Sequence, residues 1–303
     1  MHARFLEIEI TGACPYRCRH CYGSFPKPGQ LSLADIERVC AEARGLFDCV
    51  ILSGGEPFLH PGLAAMVEAA ARDYLVYITT SGFGITPEHI RRIGNRCVLV
   101  FGLDGMGQTH DHYRGMPGAY ETLLHAMELC RDLPKEIIVT LWRGVIPQID
   151  AIIKLAARFN AIVHFNHLIP VGRVPEHPEI VPDAAELEML HEKLWELKRQ
   201  GGGVITDLHR VTEQDREQGI SLFCKGRFNI TPTGDVRPCE FHTAVLGNIR
   251  EQKLDEIVRS AQQCACIAAR EEGFKNHIPA HIADPFDYHT TICHKIACTR
   301  LKL

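Results

Sequence analysis

Short runs of strand-forming residues alternate with amphipathic helical stretches along the first half of this 303-residue chain. Runs rich in β-branched and apolar residues predict six strands, which are Phe5 to Ile10, Cys49 to Ser53, Leu75 to Thr80, Cys97 to Leu103, Glu136 to Trp142 and Ala161 to His167. Strands separated by helices are parallel and joined by right-handed crossovers. The pattern therefore predicts an α/β fold with a partial, TIM-like (β/α)6 barrel, whose chemistry lies on the loops that follow the strands.

The predicted helices have recognisable starts and faces. The segment "SLAD" begins the first helix, because Ser32 can cap the backbone and Asp35 can cap in return. Asp183 and Glu186 cap a later helix that follows the proline-rich segment "VPEHPEIVPD". Its apolar stripe predicts a packing face and consists of Leu187, Leu190, Leu194 and Leu197.

Composition excludes several classes of protein. Hydrophobic residues make up 46% of the chain and charged residues 23%, and the formal net charge of −4 comes without a basic stripe, which argues against nucleic acid or an anionic membrane as a partner. Residues 1–30 lack a secretory signal pattern, and no apolar run is long enough to span a membrane. We therefore expect a cytoplasmic protein, whose thirteen cysteines are ligands, catalytic groups or buried residues rather than disulfides.

The cysteines of the first half fall into two groups. Four lie on apolar faces of predicted helices or strands, which predicts simple burial: Cys40, Cys49, Cys97 and Cys130. Cys14, Cys18 and Cys21 differ, because they lie in the polar segment "TGACPYRCRHCYG" directly after the first strand. Three thiolates on a [4Fe-4S] cluster leave one iron open for a substrate or cofactor. From the triplet alone, a zinc site completed by His20 or by a distant cysteine is the alternative.

A second motif follows the second strand. In "LSGGEPFLHP", Gly54 and Gly55 permit a close approach of the backbone to a ligand, and Glu56 adds a carboxylate. The carboxyl ends of barrel strands meet at one face of the barrel. This loop is therefore expected to face the cysteine loop across the barrel mouth.

The spacing C-x3-C-x2-C, at Cys14, Cys18 and Cys21, followed after the next strand by the GGEP motif of residues 54–57, closely resembles the radical S-adenosylmethionine (radical SAM) enzymes. The resemblance implies that the three cysteines hold a [4Fe-4S] cluster and that S-adenosylmethionine chelates its open iron through the amino and carboxylate groups of its methionine part. It also implies that the loop of Gly54, Gly55 and Glu56 receives that amino group.

The same resemblance assigns further cofactor-binding residues. His20, just before the third cysteine, stands where the family has an aromatic residue near the adenine, and Ser81 in "TTSG" stands where asparagine is common. Asp104 in "FGLDG" is a candidate for ribose or substrate contact. In "HLIPVGR", Leu168 is implied to lie near the adenine, and Arg173 is available for an anionic group.

The segment "CKGRFNITPTGDVRPCEFHTAVLGNI" predicts a hairpin with a turn around Gly234 and a later turn at the Gly-Asn pair 247–248. Its C-x9-G-x4-C pattern, at Cys224, Gly234 and Cys239, resembles the start of the SPASM or twitch extension of radical SAM enzymes. The resemblance implies one auxiliary [4Fe-4S] cluster, and thus two clusters in all, with the cysteine ligands Cys224, Cys239, Cys293 and Cys298.

Two other cysteines leave this ligand set open. Cys264 and Cys266 lie two residues apart in a stretch with helical periodicity, so their side chains diverge. A mixed set such as Cys266 with Cys298, or a site with three ligands and a free iron, is the alternative. The resulting domain prediction is a barrel core over 1–173, a linker and bridging helix over 174–223, and an auxiliary-cluster domain over 224–303.

The implied activity is reductive cleavage of S-adenosylmethionine to a 5′-deoxyadenosyl radical, which abstracts a hydrogen atom from the substrate. A flavodoxin- or ferredoxin-type protein is the implied reductant. The first choice of substrate is a ribosomally made peptide or protein, with a separate leader-binding protein because the first strand begins at Phe5. The alternative is a small molecule such as an amino sugar or porphyrin, for which Glu7 and Glu9 could line a pocket. A non-catalytic iron-sulfur electron carrier is the alternative from another class.

Overall fold

In the computed structural model of the chain, the described residues are 4–169, 171–199, 204–206, 227–241 and 243–262. Their strands form a single sheet in the order β10-β9-β8-β1-β2-β3-β4-β5-β6-β7. The strands are β1 (Phe5–Thr11), β2 (Cys49–Gly54), β3 (Leu75–Thr80), β4 (Cys97–Gly102), β5 (Lys135–Leu141), β6 (Ile162–His167), β7 (Val204–Thr206), β8 (Arg227–Ile230), β9 (Asp235–Arg237) and β10 (Gly247–Asn248). The six predicted strands are therefore confirmed, with ends that agree within one residue.

Strands β1 to β7 run parallel, and β8 also pairs in parallel with β1. The helices that accompany them are α1 (Leu33–Glu42), α2 (Leu63–Ala70), α3 (Pro87–Ile93), α4 (Gln108–Arg114), α5 (Ala119–Leu129), α6 (Ile149–Arg158), α7 (Ala184–Arg199) and α8 (Leu254–Gln262). Parallel strands that alternate with helices in this order form a partial barrel, as predicted from the sequence. The short β7 extends it by one strand that the sequence pattern did not predict.

The two faces of β1 explain where the core and the site lie. Leu6, Ile8 and Ile10 are fully buried in the apolar core that the helices cover. Side chains alternate along a strand, so Glu7 and Glu9 point to the opposite face, inside the barrel. Their relative exposures are only 6% and 1%, which rules out ordinary solvent-facing positions. The barrel interior therefore contains buried carboxylates beneath its mouth.

The predicted caps and the predicted burial of the isolated cysteines are confirmed. Ser32 and Asp35 form a reciprocal capping box at α1, and Asp183 and Glu186 exchange the same two bonds at α7. The four cysteines on apolar faces are all buried: Cys40, Cys49, Cys97 and Cys130. The leucine stripe of α7 packs into the core as predicted. These features stabilise the scaffold and carry no chemistry.

The C-terminal hairpin corrects one prediction. Strands β8 and β9 pair in antiparallel fashion around Gly234, which has a φ of +93° and so occupies the expected turn. The Gly-Asn pair predicted as a turn is instead the strand β10, which pairs with β9. Asn248 donates from Nδ2 to Asp235 at 2.9 Å, so its side chain adds to this pairing rather than forming a turn. Because β8 pairs with β1, the hairpin lies beside the barrel.

Within the described residues, none of the helices is long and apolar enough to cross a lipid bilayer.

Candidate active site

The loops after the barrel strands surround a cavity of ≈ 260 Å³. The predicted site residues that line it are Cys14, Cys18, His20, Cys21, Gly54, Gly55, Ser81, Asp104 and Leu168. Glu56 lies behind this lining and is fully buried. The structure thus brings together residues that are far apart in the sequence.

The cysteine loop is fastened to the end of α4. The backbone N–H of Arg17 donates to the carbonyl of Arg114 at 3.1 Å, and that of Arg19 donates to Tyr113 at 3.0 Å. The following Gly115 has a φ of +66°, and a Cβ there would lie 2.7 Å from the carbonyl oxygen of Arg17. A glycine is therefore required where the helix ends against the loop.

The three thiols are the candidate cluster ligands. Burial raises the pKa of Cys14 to about 11 and that of Cys18 to about 12, so both are neutral thiols in the protein alone. Iron binding displaces such protons. Among the described residues, no group of three Cys, His or carboxylate side chains converges on the position of a single metal ion. A four-iron cluster does not require such convergence, because each thiolate binds a different iron.

The paired glycines let the second motif loop join the cysteine loop. The N–H of Gly55 donates to Thr11 at 2.9 Å, and that of Glu56 donates to Ala13 at 2.8 Å. A Cβ on Gly54 would lie 2.4 Å from the oxygen of Thr11, and one on Gly55 would lie 2.1 Å from that of Ala13. The sequence predicted a close approach of backbone to ligand here. The structure shows that the glycines also permit a close approach between the two loops.

Glu56 holds the GGEP loop against the end of β3. Its carboxylate accepts bonds from Thr80 Oγ1 at 2.8 Å, from the N–H of Ser81 at 2.8 Å and from the N–H of Phe58 at 3.2 Å, and it also accepts from Ser81 Oγ. Burial raises the pKa of this carboxyl, although its hydrogen bonds oppose the shift. In this structure Glu56 therefore positions Ser81 and the glycines, which themselves line the cavity.

Asp104 forms a buried ion pair that the sequence did not predict. Its Oδ2 lies 2.7 Å from Arg114 Nη2, with side-chain exposures of 1% and 11%. Burial acts to raise the pKa of Asp104, but the charges of Arg114, His20 and His110 and a hydrogen bond from the N–H of Thr140 together outweigh burial, so the pKa is lowered. A Cβ on Gly102 would lie 2.1 Å from Arg114 Nη2, so the absence of a side chain at Gly102 makes room for the guanidinium.

His20 belongs to a stack of three rings beside the cysteines. Its ring lies 4.7 Å from that of Tyr113 at an interplanar angle of 10°, and Tyr113 stacks on Trp142 at 4.3 Å. Burial lowers the pKa of His20 to about 4, so the ring is neutral at physiological pH. The buried His20 Nδ1 has no hydrogen-bond partner among the described residues. His20 lines the cavity, so a polar ligand there would satisfy this nitrogen.

A second set of acidic side chains lies on the wall of the cavity formed by β1 and the C-terminal hairpin, which we call the inner wall. The sequence predicted Glu7 as a member of this set but did not predict Glu240. Glu7 lines this wall as predicted, and burial together with the charge of Glu240 raises its pKa to about 7. Arg227 Nη1 lies 2.9 Å from Glu240 Oε1. The sequence places Glu240 directly after Cys239 and Arg227 in a β run before the turn, but neither position indicates that the two side chains pair. Glu9 is not in the cavity lining and pairs with Lys27 at 2.7 Å.

Arg173 and Cys239 are two other predicted site residues that lie within the described part of the chain. The guanidinium of Arg173 donates to the carbonyl of Phe25, so this contact ties the segment after β6 to the cysteine loop. Cys239 is buried, with 3% exposure. The other C-terminal cysteines lie outside the described residues: Cys224, Cys264, Cys266, Cys293 and Cys298.

Replacing Glu56 by glutamine is expected to loosen the GGEP loop. Glutamine puts an NH2 group where Ser81 donates, so we expect a loss of about 1–3 kcal/mol in the free energy of unfolding, and weaker binding of S-adenosylmethionine. Urea unfolding and equilibrium dialysis measure the two effects, and iron content should stay unchanged. The exposed Glu128→Gln serves as the control. Equal behaviour of the two variants would contradict this role of Glu56.

Comparison with known proteins agrees with the motifs. The model of the radical SAM superfamily matches residues 8–156, and that of an iron-sulfur cluster-binding domain called SPASM matches residues 224–283. The mycofactocin maturase MftC of Mycobacterium ulcerans is 30% identical over 254 residues, which cover 78% of this chain and 68% of that protein. The AdoMet-dependent heme synthase of Methanosarcina barkeri is 28% identical over 291 residues, which cover 86% and 83%.

The fold also matches a solved structure. The crystal structure of Streptococcus suis SuiB bound to the precursor peptide SuiA superposes with a TM-score of 0.70 at 15% identity, and the match covers 92% of this chain and 68% of that one. At this identity the likeness concerns the fold. The cysteine and GGEP loops at the mouth of a partial barrel, the two family models and the similarity to MftC lead to one conclusion. The chain belongs to the radical SAM superfamily and is a radical SAM enzyme with a C-terminal SPASM iron-sulfur domain.

Proposed function

We propose that Cys14, Cys18 and Cys21 hold a [4Fe-4S] cluster and that S-adenosylmethionine binds its open iron within the cavity. When bound, this pair supplies the 5′-deoxyadenosyl radical that takes a hydrogen atom from the substrate. The observation that carries this proposal is the cavity itself, which is lined by three thiols together with the buried His20 Nδ1, an atom that has no hydrogen-bond partner among the described residues. A set of soft ligands beside an unsatisfied polar group fits an iron-sulfur cluster with a polar cofactor.

The chain's own residues position that cofactor. Gly54 and Gly55 expose backbone at the mouth, where no side chain can intervene, and they are the proposed site for the methionine amino group. Ser81, fixed by Glu56, borders the same space. The buried Leu168 supplies an apolar surface for the adenine.

The opposite side of the cofactor pocket is proposed to orient the nucleoside. His20 presents a neutral ring with one free nitrogen, and its stacking on Tyr113 fixes the plane of that ring. Asp104 is held by Arg114, so its acceptor oxygens have a fixed position for a ribose hydroxyl. Side chains fixed in this way would hold the nucleoside in one orientation, so that the radical meets the substrate rather than competing hydrogen donors.

An auxiliary [4Fe-4S] cluster with Cys224, Cys239, Cys293 and Cys298 remains our proposal for the C-terminal part, residues 224–303. The match to an iron-sulfur cluster-binding domain supports a cluster in this region. That match contains Cys264 and Cys266 and ends before Cys293, so it also supports the alternative ligand sets. Mössbauer spectra of Cys293→Ala/Cys298→Ala and of Cys264→Ala/Cys266→Ala will distinguish them, since only loss of true ligands removes the auxiliary signal.

We propose that the substrate is a ribosomally made peptide or protein. MftC is named as a maturase, and SuiB was solved with a precursor peptide, which supports this choice. The charge of the cavity also supports it. Among the described lining residues are three carboxylates, on Glu7, Asp104 and Glu240, and two guanidinium groups, on Arg114 and Arg227, so one negative charge is in excess when all are ionised. An anionic ligand is poorly matched to such a wall.

Small-molecule chemistry on a tetrapyrrole is the second candidate. It is favoured by the heme synthase relative, of which this chain covers 83%. Against it stands the acidic cavity, because the propionate groups of a porphyrin would meet carboxylates. A cytoplasmic flavodoxin- or ferredoxin-type reductant and, for a peptide substrate, a separate leader-binding protein complete the proposal.

Turnover will decide between these substrates. Reduced holoenzyme should form 5′-deoxyadenosine faster when candidate precursor peptides encoded beside its gene are added, and the peptide mass should change. Iron-loaded and metal-free porphyrins with propionate side chains should have no effect. If a porphyrin accelerates turnover and no peptide does, the peptide proposal is wrong.

A further inference from the structure

The inner wall of the cavity holds a group of side chains that the cofactor does not need. Glu7 projects from β1, Ser53 from β2, and Tyr22 follows the cysteine triplet. Arg227 and Glu240 come from the C-terminal hairpin. We call these five residues the inner-wall cluster. It unites the barrel and the iron-sulfur domain on one surface of the cavity.

The two oxygens of Glu7 have different surroundings. Oε1 accepts from Ser53 Oγ at 2.7 Å and from Tyr22 Oη at 3.1 Å. Among the described residues, no group donates to Oε2. Two donors on one oxygen fix the orientation of the carboxylate, and its second oxygen keeps free acceptor capacity. The side chain lines the cavity, so a ligand there can reach it.

Glu240 provides a second acceptor of the same kind. Its Oε1 lies beside Arg227, whereas its Oε2 is buried and has no hydrogen-bond partner among the described residues. The side chain is only 6% exposed, and it lines the cavity. Buried acceptors are normally satisfied, so an unsatisfied one that faces a cavity points to a donor on a ligand.

The charge and the rings of this wall define the class of that donor. Burial and the charge of Glu240 raise the pKa of Glu7 to about 7, so Glu7 is only partly ionised near that pH in the empty cavity. A bound cation would let both carboxylates ionise beside Arg227, which gives the inner-wall cluster itself a net charge of −1. The ring of Tyr22 lies 5.7 Å from that of Phe241 and 6.2 Å from that of Phe25, so aromatic surface borders the carboxylates. Carboxylates and aromatic rings together favour organic cations, through charge-assisted hydrogen bonds and cation–π contact.

We propose that Glu7 and Glu240 form a substrate subsite for a protonated amine or guanidinium, which in a peptide is a lysine or arginine side chain. The inference rests on the proposed peptide substrate and names the kind of side chain that enters the cavity. The cation donates to Glu7 Oε2 and Glu240 Oε2, and it restores charge balance in the wall. Arg227 keeps Glu240 in place. The two carboxylates disfavour an anion, and they are left without a donor by a neutral apolar side chain.

The test uses the oxidised holoenzyme with S-adenosylmethionine bound and no reductant, so that binding is measured without turnover. The probes are three capped peptides that differ at one position: acetyl-Gly-Lys-Gly-amide, its norleucine analogue and its glutamate analogue. Calorimetry should show the lysine peptide binding roughly tenfold more tightly than the norleucine peptide, which is the size of one charge-assisted hydrogen bond. The glutamate peptide should bind most weakly.

Variants assign the preference to the cluster. Glu7→Gln and Glu240→Gln should each reduce the lysine preference, while Glu136→Gln should retain it, because Glu136 pairs with His164 at 2.9 Å and is not among the residues that line the cavity. Circular dichroism of both cluster variants checks folding, and either folded variant suffices for the test. Equal binding of the three peptides, no binding of any of them up to their solubility limits, or an unchanged preference in the folded variants would overturn the proposal. Failure of S-adenosylmethionine cleavage with an intact lysine preference would instead count against the proposed function alone.

Discussion

Replacing Cys14, Cys18 and Cys21 by alanine is expected to abolish cleavage of S-adenosylmethionine and to remove roughly half of the bound iron, because the proposed auxiliary cluster would have separate cysteine ligands. All three thiols line one cavity, and the backbone bonds between Arg17, Arg19 and α4 hold their loop independently of the thiols. The variant should therefore fold. Iron analysis and detection of 5′-deoxyadenosine after anaerobic reduction measure the two effects.

The matched controls are cysteines in the apolar core. Cys40→Ala, Cys97→Ala and Cys130→Ala remove thiols that pack against helices and strands, so each should keep its full iron content and cleavage activity. Some loss of stability is expected from the small cavities they create. If the triple variant still cleaves the cofactor, or if a core variant loses a cluster, the assignment of the ligands is wrong.

Replacing Arg114 by methionine should destabilise the protein by about 3–5 kcal/mol, since it leaves the buried Asp104 carboxylate without its partner. The loss should be smaller in the double variant Arg114→Met/Asp104→Leu, which removes both charges. Denaturant unfolding of the apoprotein measures these values. Arg91→Met removes an exposed pair with Glu88 and should change stability by about 0–1 kcal/mol.

The ion pair also predicts a pH dependence. The pKa of Asp104 in the folded state lies below its ordinary value of 3.8, because Arg114, the largest of the lowering causes, acts together with His20, His110 and the N–H of Thr140 to outweigh the effect of burial. The resulting stabilisation is fully present above the unfolded pKa and is lost as the pH falls through the lower folded pKa. Arg114→Met should reduce this contribution to the acid dependence of unfolding. A variant as stable as Arg91→Met at every pH would show that the pair does not hold α4 to β4.

The order of strands and the cysteine loop could be predicted because both leave local signals. The alternation of Leu6, Ile8 and Ile10 with Glu7 and Glu9 indicates a strand with two unlike faces, and the structure buries both faces as a barrel strand requires. The motif loops follow such strands directly. Parallel topology then places their residues at one end of the barrel, whatever their separation in sequence.

The rest of the site depends on contacts between distant segments, which leave weaker signals. Nothing local indicates that Arg114 on α4 would fill the space left by Gly102, or that Arg227 would pair with Glu240 inside the cavity. The hydrogen bonds of Glu56 could not be predicted from the local sequence either. Its motif was found, but its four hydrogen bonds to Phe58, Thr80 and Ser81 depend on how β2 and β3 pair.

The central claim is that the cavity beside Cys14, Cys18 and Cys21 is where S-adenosylmethionine is cleaved. Anaerobic incubation of the reconstituted protein with S-adenosylmethionine and dithionite tests it most directly. We predict that 5′-deoxyadenosine and methionine form in equal amounts, slowly without substrate, and that neither forms in the triple cysteine variant. Absence of both products from the wild-type protein, with an intact reduced cluster seen by electron paramagnetic resonance, would contradict the claim.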